Sequence, residues 1–431
     1  MRCVREFFVR LPACAALFLV GCAARPLDGP GDSPATDLGR STAVDLATAR
    51  DAAAPPDLAL PAGYPAPHAP LPQEVDSGGP RLVHPAITVV SYPGDDFAAD
   101  VEALVASLPG SSYWEETTVE YGVGALTARP PIRLAEAAPA RLSNEEIAAW
   151  LVARLDGSHP DFGLPDPDSL FVILYPSSTS IDAGGARSCV DFGGYHDAAP
   201  LPGGGFVAYA VLPRCETPYV GLDRLQSLTV AVSHEIIEAA TDAAPLEQPA
   251  WARPDAANVA WGEVLGGVEV ADLCALDPDW AVVPPGLAYS VQRSWSNAAA
   301  REGRDPCVPS PPGQPYFNAA PVLPDEIVLP DGPAPNALSR GVALQEGQSK
   351  TIELRLFSDG PTAPWRLSTV RSPYSAGVLD LRFDRSSGRN GDLVHLTIKV
   401  VAPDPSGIDG FLVVSTLGDV ERLWPIAVAE R

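Results

Sequence analysis

Apolar and polar positions repeat with two different periods along this chain, and the change of period divides it into two parts. Between residues 85 and 310, short apolar runs typical of buried strands are interspersed with segments of helical spacing. The predicted strands are 86–92, 117–123, 170–175 and 206–212, and the predicted helices are 96–108, 143–155 and 228–241. This order of elements predicts an α/β or α+β domain over residues 85–310.

Strict alternation of apolar and polar residues replaces that pattern in the last part of the chain. It is clearest at 350–356, 379–383 and 394–400, and glycine-containing turns separate these runs. Short alternating strands at fairly regular spacing are typical of two antiparallel sheets packed face to face. We therefore predict an all-β, immunoglobulin-like sandwich over residues 341–431.

Two proline-rich segments flank the first of these regions. Residues 23–84 are rich in proline, alanine and aspartate and have no apolar period, so they predict a disordered tether. Residues 311–340 are again rich in proline and predict a linker between the two domains.

The first 22 residues have the order of an export signal, with a basic start, a short apolar run and Cys22 after Leu19-Val20-Gly21. This resembles the lipobox of bacterial lipoproteins, in which the cysteine is lipidated and becomes the mature N-terminus. The alternative is a plain signal peptide with a chance cysteine. The lipoprotein interpretation makes the membrane a partner through the lipid. It places the protein in the cell envelope, outside the cytoplasm, at the outer membrane or cell surface.

Composition narrows the possible partners. With 54 acidic and 29 basic residues the net charge is −25, which argues against nucleic acid, because phosphate binding needs clustered cations. Four cysteines remain after residue 22, and an even number in an exported chain indicates two disulfides. Of the three possible pairings we predict the local one, Cys189–Cys215 with Cys274–Cys307.

The candidate chemistry lies in the predicted helix 228–241, which contains the sequence HExxE. His234 and Glu238 are four residues apart and share one helix face, as two ligands of one metal ion require. Zinc accepts carboxylate oxygen as well as imidazole nitrogen. Glu235 is predicted to be the general base that activates water, as in HExxH hydrolases.

A third ligand is needed, and the chain offers several. Glu269 is the first choice and Asp272 the second, since both precede Cys274, whose disulfide would hold their loop against the helix. Either carboxylate could instead cap a turn. His196, upstream of the helix, is a candidate ligand, a candidate electrophile near a developing oxyanion, or an ordinary hydrogen-bonded histidine.

These blocks together resemble the Exordium or phosphate-induced family of secreted plant proteins and its bacterial relatives. That family has the pattern HEhxExxT(D/N), then E-I-x-D-x-C, then Q-x-x-W-(S/N) and a closing cysteine, with a Gly-aromatic-His element before the helix. The corresponding residues here are 234–242, 269–274, 292–297, Cys307 and 194–196. Ala243 departs from the pattern, which usually continues with proline. The resemblance covers residues 85–310 and implies a metallopeptidase-like domain without a defined substrate.

Two classes of function remain open. The first is a surface-anchored zinc hydrolase, leaning to a peptidase, that uses the HExxE helix and a downstream carboxylate. The second is a non-catalytic extracellular module that binds a polysaccharide or a protein and has a structural or vestigial metal site. The presence of Glu235 favours the enzyme, since a purely structural metal does not need a carboxylate beside its histidine.

The lipobox predicts a change in location when its cysteine is removed. Cys22→Ala prevents lipidation, so the protein should move from the membrane pellet to the soluble fraction in cell fractionation. An unchanged membrane fraction would contradict the lipoprotein interpretation.

Overall fold

The computed structural model describes residues 63–329, 336–404 and 406–429. The predicted signal segment and lipidated Cys22 therefore lie outside the described residues, as does the tether up to residue 62. The strands before residue 310 are β1 Ala86–Ser91, β2 Thr127–Ala128, β3 Ile132–Arg133, β4 Arg141–Ser143, β5 Ser169–Tyr175, β6 Ser180–Ala183, β7 Ala186–Arg187, β8 Tyr195–Pro200, β9 Phe206–Pro213, β10 Ala281–Val282, β11 Val291–Gln292, β12 Ser294–Trp295 and β13 Cys307–Val308.

The helices among the described residues all lie before residue 310. They are α1 Ala98–Ser107, α2 Ser112–Thr118, α3 Asn144–Arg154, α4 Arg224–Thr241, α5 Trp261–Leu265 and α6 Asn297–Arg301, with short 3-10 helices at Val119–Tyr121 and Asp272–Cys274. Among the described residues, no helix has the length and apolar character needed to cross a membrane.

A mixed sheet of order β2-β1-β5-β9-β8 forms the centre of the first domain, with β3 also paired to β1. Its pairings are parallel except that β8 runs antiparallel to β9 at one edge. Every residue of β5 is buried, which explains its continuous apolar run. Alternate residues of β5 serve opposite faces: Leu170 packs in the core with α1 and α4, and Phe171 packs in the core with α3.

The predicted strand at 117–123 was wrong, because this segment is helical. Tyr113, Thr117 and Tyr121 are buried at helical spacing, four residues apart. The side chain of Ser111 caps α2 by accepting a hydrogen bond from the Trp114 amide. The short alternation of apolar and polar residues that suggested a strand therefore comes from the buried face of a helix.

The second domain is a sandwich of two sheets, as predicted, with strand orders β14-β17-β21-β19 and β15-β16-β23-β22-β18-β20. Adjacent strands are antiparallel except for the parallel pair β16 and β23. Its strands are β14 Phe317–Val322, β15 Asp325–Val328, β16 Leu338–Ala343, β17 Ser349–Ser358, β18 Trp365–Arg371, β19 Leu379–Phe383, β20 Ser387–Gly388, β21 Leu393–Val400, β22 Ile408–Leu417 and β23 Val420–Ala429.

The predicted linker 311–340 needs correction, because the sandwich begins at Phe317 rather than at residue 341. Strands β14 and β15 and the start of β16 lie within the segment, on either side of residues 330–335, which are not described. Pro321 concealed this, since proline usually argues against a strand. It is tolerated here because β14 is an edge strand.

The predicted tether also needs correction, because its described part, 63–84, packs against both domains. Leu71 and Leu82 are buried, and the ring of His68 stacks on Phe357 of the sandwich at 3.6 Å between centroids. The Val75 amide donates a hydrogen bond to the carbonyl of Arg253 at 2.9 Å. Such an extended segment is ordered by tertiary contacts, which leave no periodic signal.

A buried ion-pair network joins the two domains. Arg422 of β23 contacts Asp279 at 2.9 Å and Asp305 at 3.1 Å, and its side chain is 3% exposed. Arg293, which is fully buried, contacts the same two aspartates. Beside the network, Trp261 packs edge-on against Trp424.

Removing one partner from this network should destabilise the whole protein. Arg422→Met keeps the apolar stem but leaves Asp305 buried with one cation fewer, so we expect a loss of about 3 kcal/mol in unfolding free energy. Urea unfolding followed by tryptophan fluorescence measures it. Arg382→Met, in an exposed pair with Asp380, is the control and should change nothing measurable. Equal midpoints for the two variants would contradict the role of Arg422.

Candidate metal centre

Helix α4 is the element that positions the HExxE residues. It begins with a capping box, in which the Asp223 side chain accepts from the Gln226 amide and the Gln226 side chain accepts from the Asp223 amide. From Leu228 onward every residue of the helix is buried. His234 and Glu238 lie on one face, as predicted, with Nε2 of the histidine 2.9 Å from Oε2 of the glutamate.

Asp272 completes a group of three with these two residues. Its Oδ1 is 3.6 Å from Nε2 of His234, and its backbone amide donates to Oε1 of Glu238 at 3.2 Å. The ligand atoms of His234, Glu238 and Asp272 all lie within 4.8 Å of one another. Of the two downstream carboxylates that the sequence offered, the structure therefore places Asp272 beside the histidine of the helix.

His196 forms a second group on the other side of Glu238. It lies in the edge strand β8, which the sequence did not predict, and its side chain is 1% exposed. Its Nδ1 is 3.5 Å from Glu235 and 3.8 Å from Glu238, and these three residues also offer ligand atoms within 4.8 Å of one another. Its Nε2 faces Glu269 at 3.4 Å. All six candidate residues thus meet in one buried cluster.

Gln292 contacts the cluster, and the sequence alone assigned it no role. Its Oε1 is 3.0 Å from Nδ1 of His234, and its Nε2 donates to the carbonyl of Ala271 at 2.7 Å. Because that donation fixes the amide orientation, Nδ1 of His234 carries the proton and Nε2 is left free to bind an ion. Its position in the Q-x-x-W-S block was the available signal.

Two further buried acids border the cluster and were also missed. Asp242 accepts a hydrogen bond from the Ala250 amide, and Glu74 accepts one from the Arg253 amide. Burial raises the pKa of Asp242 to about 6 and raises the pKa of Glu74 well above its usual value. Glu74 escaped attention because it belongs to the proline-rich segment.

The electrostatics of the cluster are those of charges crowded away from water. Burial is the main cause that raises the pKa of Asp272 to about 8, and the nearby charge of Glu238 raises it further. The same two causes raise the pKa of Glu269 well above its usual value. Burial lowers the pKa of His196, but the surrounding carboxylates, Glu269 first, outweigh it and raise that pKa well above normal. Burial also lowers the pKa of His234, but the carboxylates around it, Glu238 first, outweigh burial and raise that pKa well above normal.

Several of these polar atoms have no hydrogen-bond partner despite their burial, which is costly in free energy. They include both ring nitrogens of His196, Nε2 of His234, Oε2 of Glu238 and both carboxylate oxygens of Glu269. In a tetrahedral site with bonds of about 2.1 Å, ligand atoms are about 3.4 Å apart. The separations of 2.9–3.8 Å observed here are close to that value. The residues present therefore fit a divalent cation.

Both predicted disulfides are confirmed, and each supports the cluster. Cys189–Cys215 joins the chain before β8 to the chain after β9, and so braces the hairpin that carries His196. Cys274–Cys307 ties the end of the Asp272–Cys274 turn to β13. The two disulfides indicate an oxidising environment.

A small cleft lies alongside the first half of α4. Its lining includes Gly193, Tyr219 and Ala231, the last of which lies one helical turn before Glu235. A Cβ atom on Gly194 would lie 2.7 Å from Oε1 of Glu235, so a larger residue at position 194 would displace the Glu235 side chain. Glu235 is 5% exposed.

Comparisons with known proteins add little about function. No protein-family model matches the chain, and no curated protein matches it. The crystal structure of titin domain M3 has 15% identity, covers 21% of this chain and 88% of its own, and has a TM-score of 0.15. The twitchin kinase region from C. elegans has 18% identity, with 21% and 15% covered and a TM-score of 0.15. Likenesses this low carry no argument about activity, and the Exordium resemblance stays a prediction.

Proposed function

We propose that the first domain is a cation-dependent hydrolase, namely a zinc peptidase. The domain is Exordium-like and metallopeptidase-like, and it belongs to a lipoprotein that Cys22 anchors outside the cytoplasm. The observation that carries the proposal is the convergence of two histidines and four carboxylates whose coordinating atoms are buried and largely unpartnered. Such a set costs free energy without a cation.

His234, Glu238 and Asp272 would hold the ion, with Gln292 orienting the histidine. A zinc ion bound there would act as a Lewis acid and make water a better nucleophile at neutral pH. Glu235 lies beside His234 on the same helix but is not one of the three residues grouped around that ion, so it would be the group that accepts a proton from the attacking water. The burial around it excludes bulk solvent and strengthens electrostatic interactions within the site.

Peptide bonds are the substrate class that the HExxE arrangement favours. A cell-wall polysaccharide or a protein ligand is the alternative, on a binding module whose metal is structural. One observation favours that alternative: the cluster is almost entirely buried, with Glu238 and Glu269 at 0% exposure. A structural site is typically closed, whereas a catalytic site keeps an open position. The carboxylate of Glu235 beside the cluster favours the enzyme, because a structural ion does not need it.

Replacing the general base should separate binding from turnover. Glu235→Gln should lower hydrolysis about 10²–10⁴-fold and keep the ion at His234, because Glu235 is not among that ion's ligands. His234→Ala should lose that ion and the activity together. Metal analysis after zinc reconstitution, alongside cleavage of a mixed peptide library, measures both. Glu247→Gln, an exposed acid beyond the helix, is the control and should match the wild type.

The outcomes divide the two functions. Wild-type protein that holds no zinc after reconstitution contradicts the metal centre. If wild-type protein binds zinc and the Glu235→Gln variant has the same hydrolysis rate as the wild type, the binding module is favoured.

A further inference from the structure

Glu238 faces two histidines with the same oxygen atom. Its Oε2 is 2.9 Å from Nε2 of His234 and 3.8 Å from Nδ1 of His196. This oxygen is fully buried and has no hydrogen-bond partner. A carboxylate shared between two imidazoles is more than one ion needs, since a single ion at His234 already has Asp272 as its third ligand.

The two histidines are arranged in the same way. Each turns one ring nitrogen towards Glu238 and the other towards an oxygen of a neighbouring side chain. For His234 the acceptor is Oε1 of Gln292 at 3.0 Å, and for His196 it is Oε1 of Glu269 at 3.4 Å. A histidine ligand commonly donates its remaining N–H to a carboxylate or a carbonyl oxygen in this way. His196 therefore has the surroundings of a ligand in its own right.

Charge gives an independent argument. Glu235, Glu238, Glu269 and Asp272 carry four negative charges when ionised, and all are at least 95% buried. One divalent cation leaves two of these charges uncompensated where charge is expensive to bury. Two divalent cations balance the four carboxylates and leave both histidines neutral, which is the form that binds metal.

We infer that the cluster binds two divalent cations bridged by Glu238, the second one held by His196 and by Oε2 of Glu235, whose Oε1 stays available to accept a proton. The inference rests on the proposed function for the first cation, at His234 and Asp272, and deepens it. Two-metal hydrolases hold their ions about 3.5–4 Å apart, which a single bridging carboxylate permits. A second cation also gives His196 a role as a metal ligand.

Counting bound ions tests this without reference to activity. Full-length protein is stripped with chelator, reconstituted with Zn²⁺, desalted and analysed by native mass spectrometry. We expect two ions in the wild type and one in each of His196→Gln, Glu235→Gln and His234→Gln. The matched control is Asp197→Asn, a buried acid next to His196 that bonds instead to Asn144, and it should keep two.

A second readout reports the distance between the ions. Mn²⁺ loaded to saturation should give the exchange-coupled electron paramagnetic resonance spectrum of a pair in the wild type. His196→Gln should give the spectrum of isolated ions. Circular dichroism checks that each variant folds, and Glu235→Gln decides the question if His196→Gln does not fold.

The possible failures are distinguishable. One ion in the wild type, unchanged in His196→Gln and Glu235→Gln, overturns the second cation and leaves the proposed function standing. Two ions in the wild type that both remain in these two variants also overturn it, because the second ion then lies elsewhere. Protein that binds no ion overturns both proposals.

Discussion

Like charges held together away from water are the constraint on which the rest of this structure depends. Four carboxylates meet around the end of α4, where the effective dielectric is low and repulsion between them is strong. The two histidines reduce that repulsion only if they are protonated, and a protonated histidine cannot bind metal. Divalent cations bound there would resolve the conflict, because they would offset the carboxylate charge and bind the neutral imidazoles.

The scaffold around the cluster is rigid where the cluster needs it. The capping box fixes the start of α4, and one disulfide braces the hairpin of His196 while the other holds the turn of Asp272. The segment 63–84 closes over the same region through Glu74. Because ligand positions must be held to a fraction of an ångström, these supports are as much a part of the centre as its ligands.

Much of this was readable in the sequence for definite physical reasons. Helix α4 has an apolar period, so its existence and the shared face of His234 and Glu238 followed directly, although its capped start at Arg224 precedes the predicted residue 228. The sandwich strands β17 and β21 alternate strictly, since one face of each meets the core. Both disulfides join cysteines that are close along the chain, so the local pairing was correct.

The rest depended on contacts that sequence periodicity does not encode. Glu74 and most of the strands β14 to β16 lie in proline-rich segments, whose order comes from contacts and strand pairing with other parts of the chain. Glu269 and Asp272 are three residues apart in one turn, so the sequence could not predict which of the two carboxylates lies beside His234. Gln292 lies 58 residues from His234 in sequence, and only the fold brings their side chains together.

The central claim is that this buried cluster is a cation centre, and a crystal of the full chain grown with Zn²⁺ tests it most directly. An anomalous difference map at the zinc edge should show density in the cluster, about 2.0–2.2 Å from Nε2 of His234 and from a carboxylate oxygen of Glu238. Anomalous density confined to the protein surface, with the cluster empty, would contradict the account.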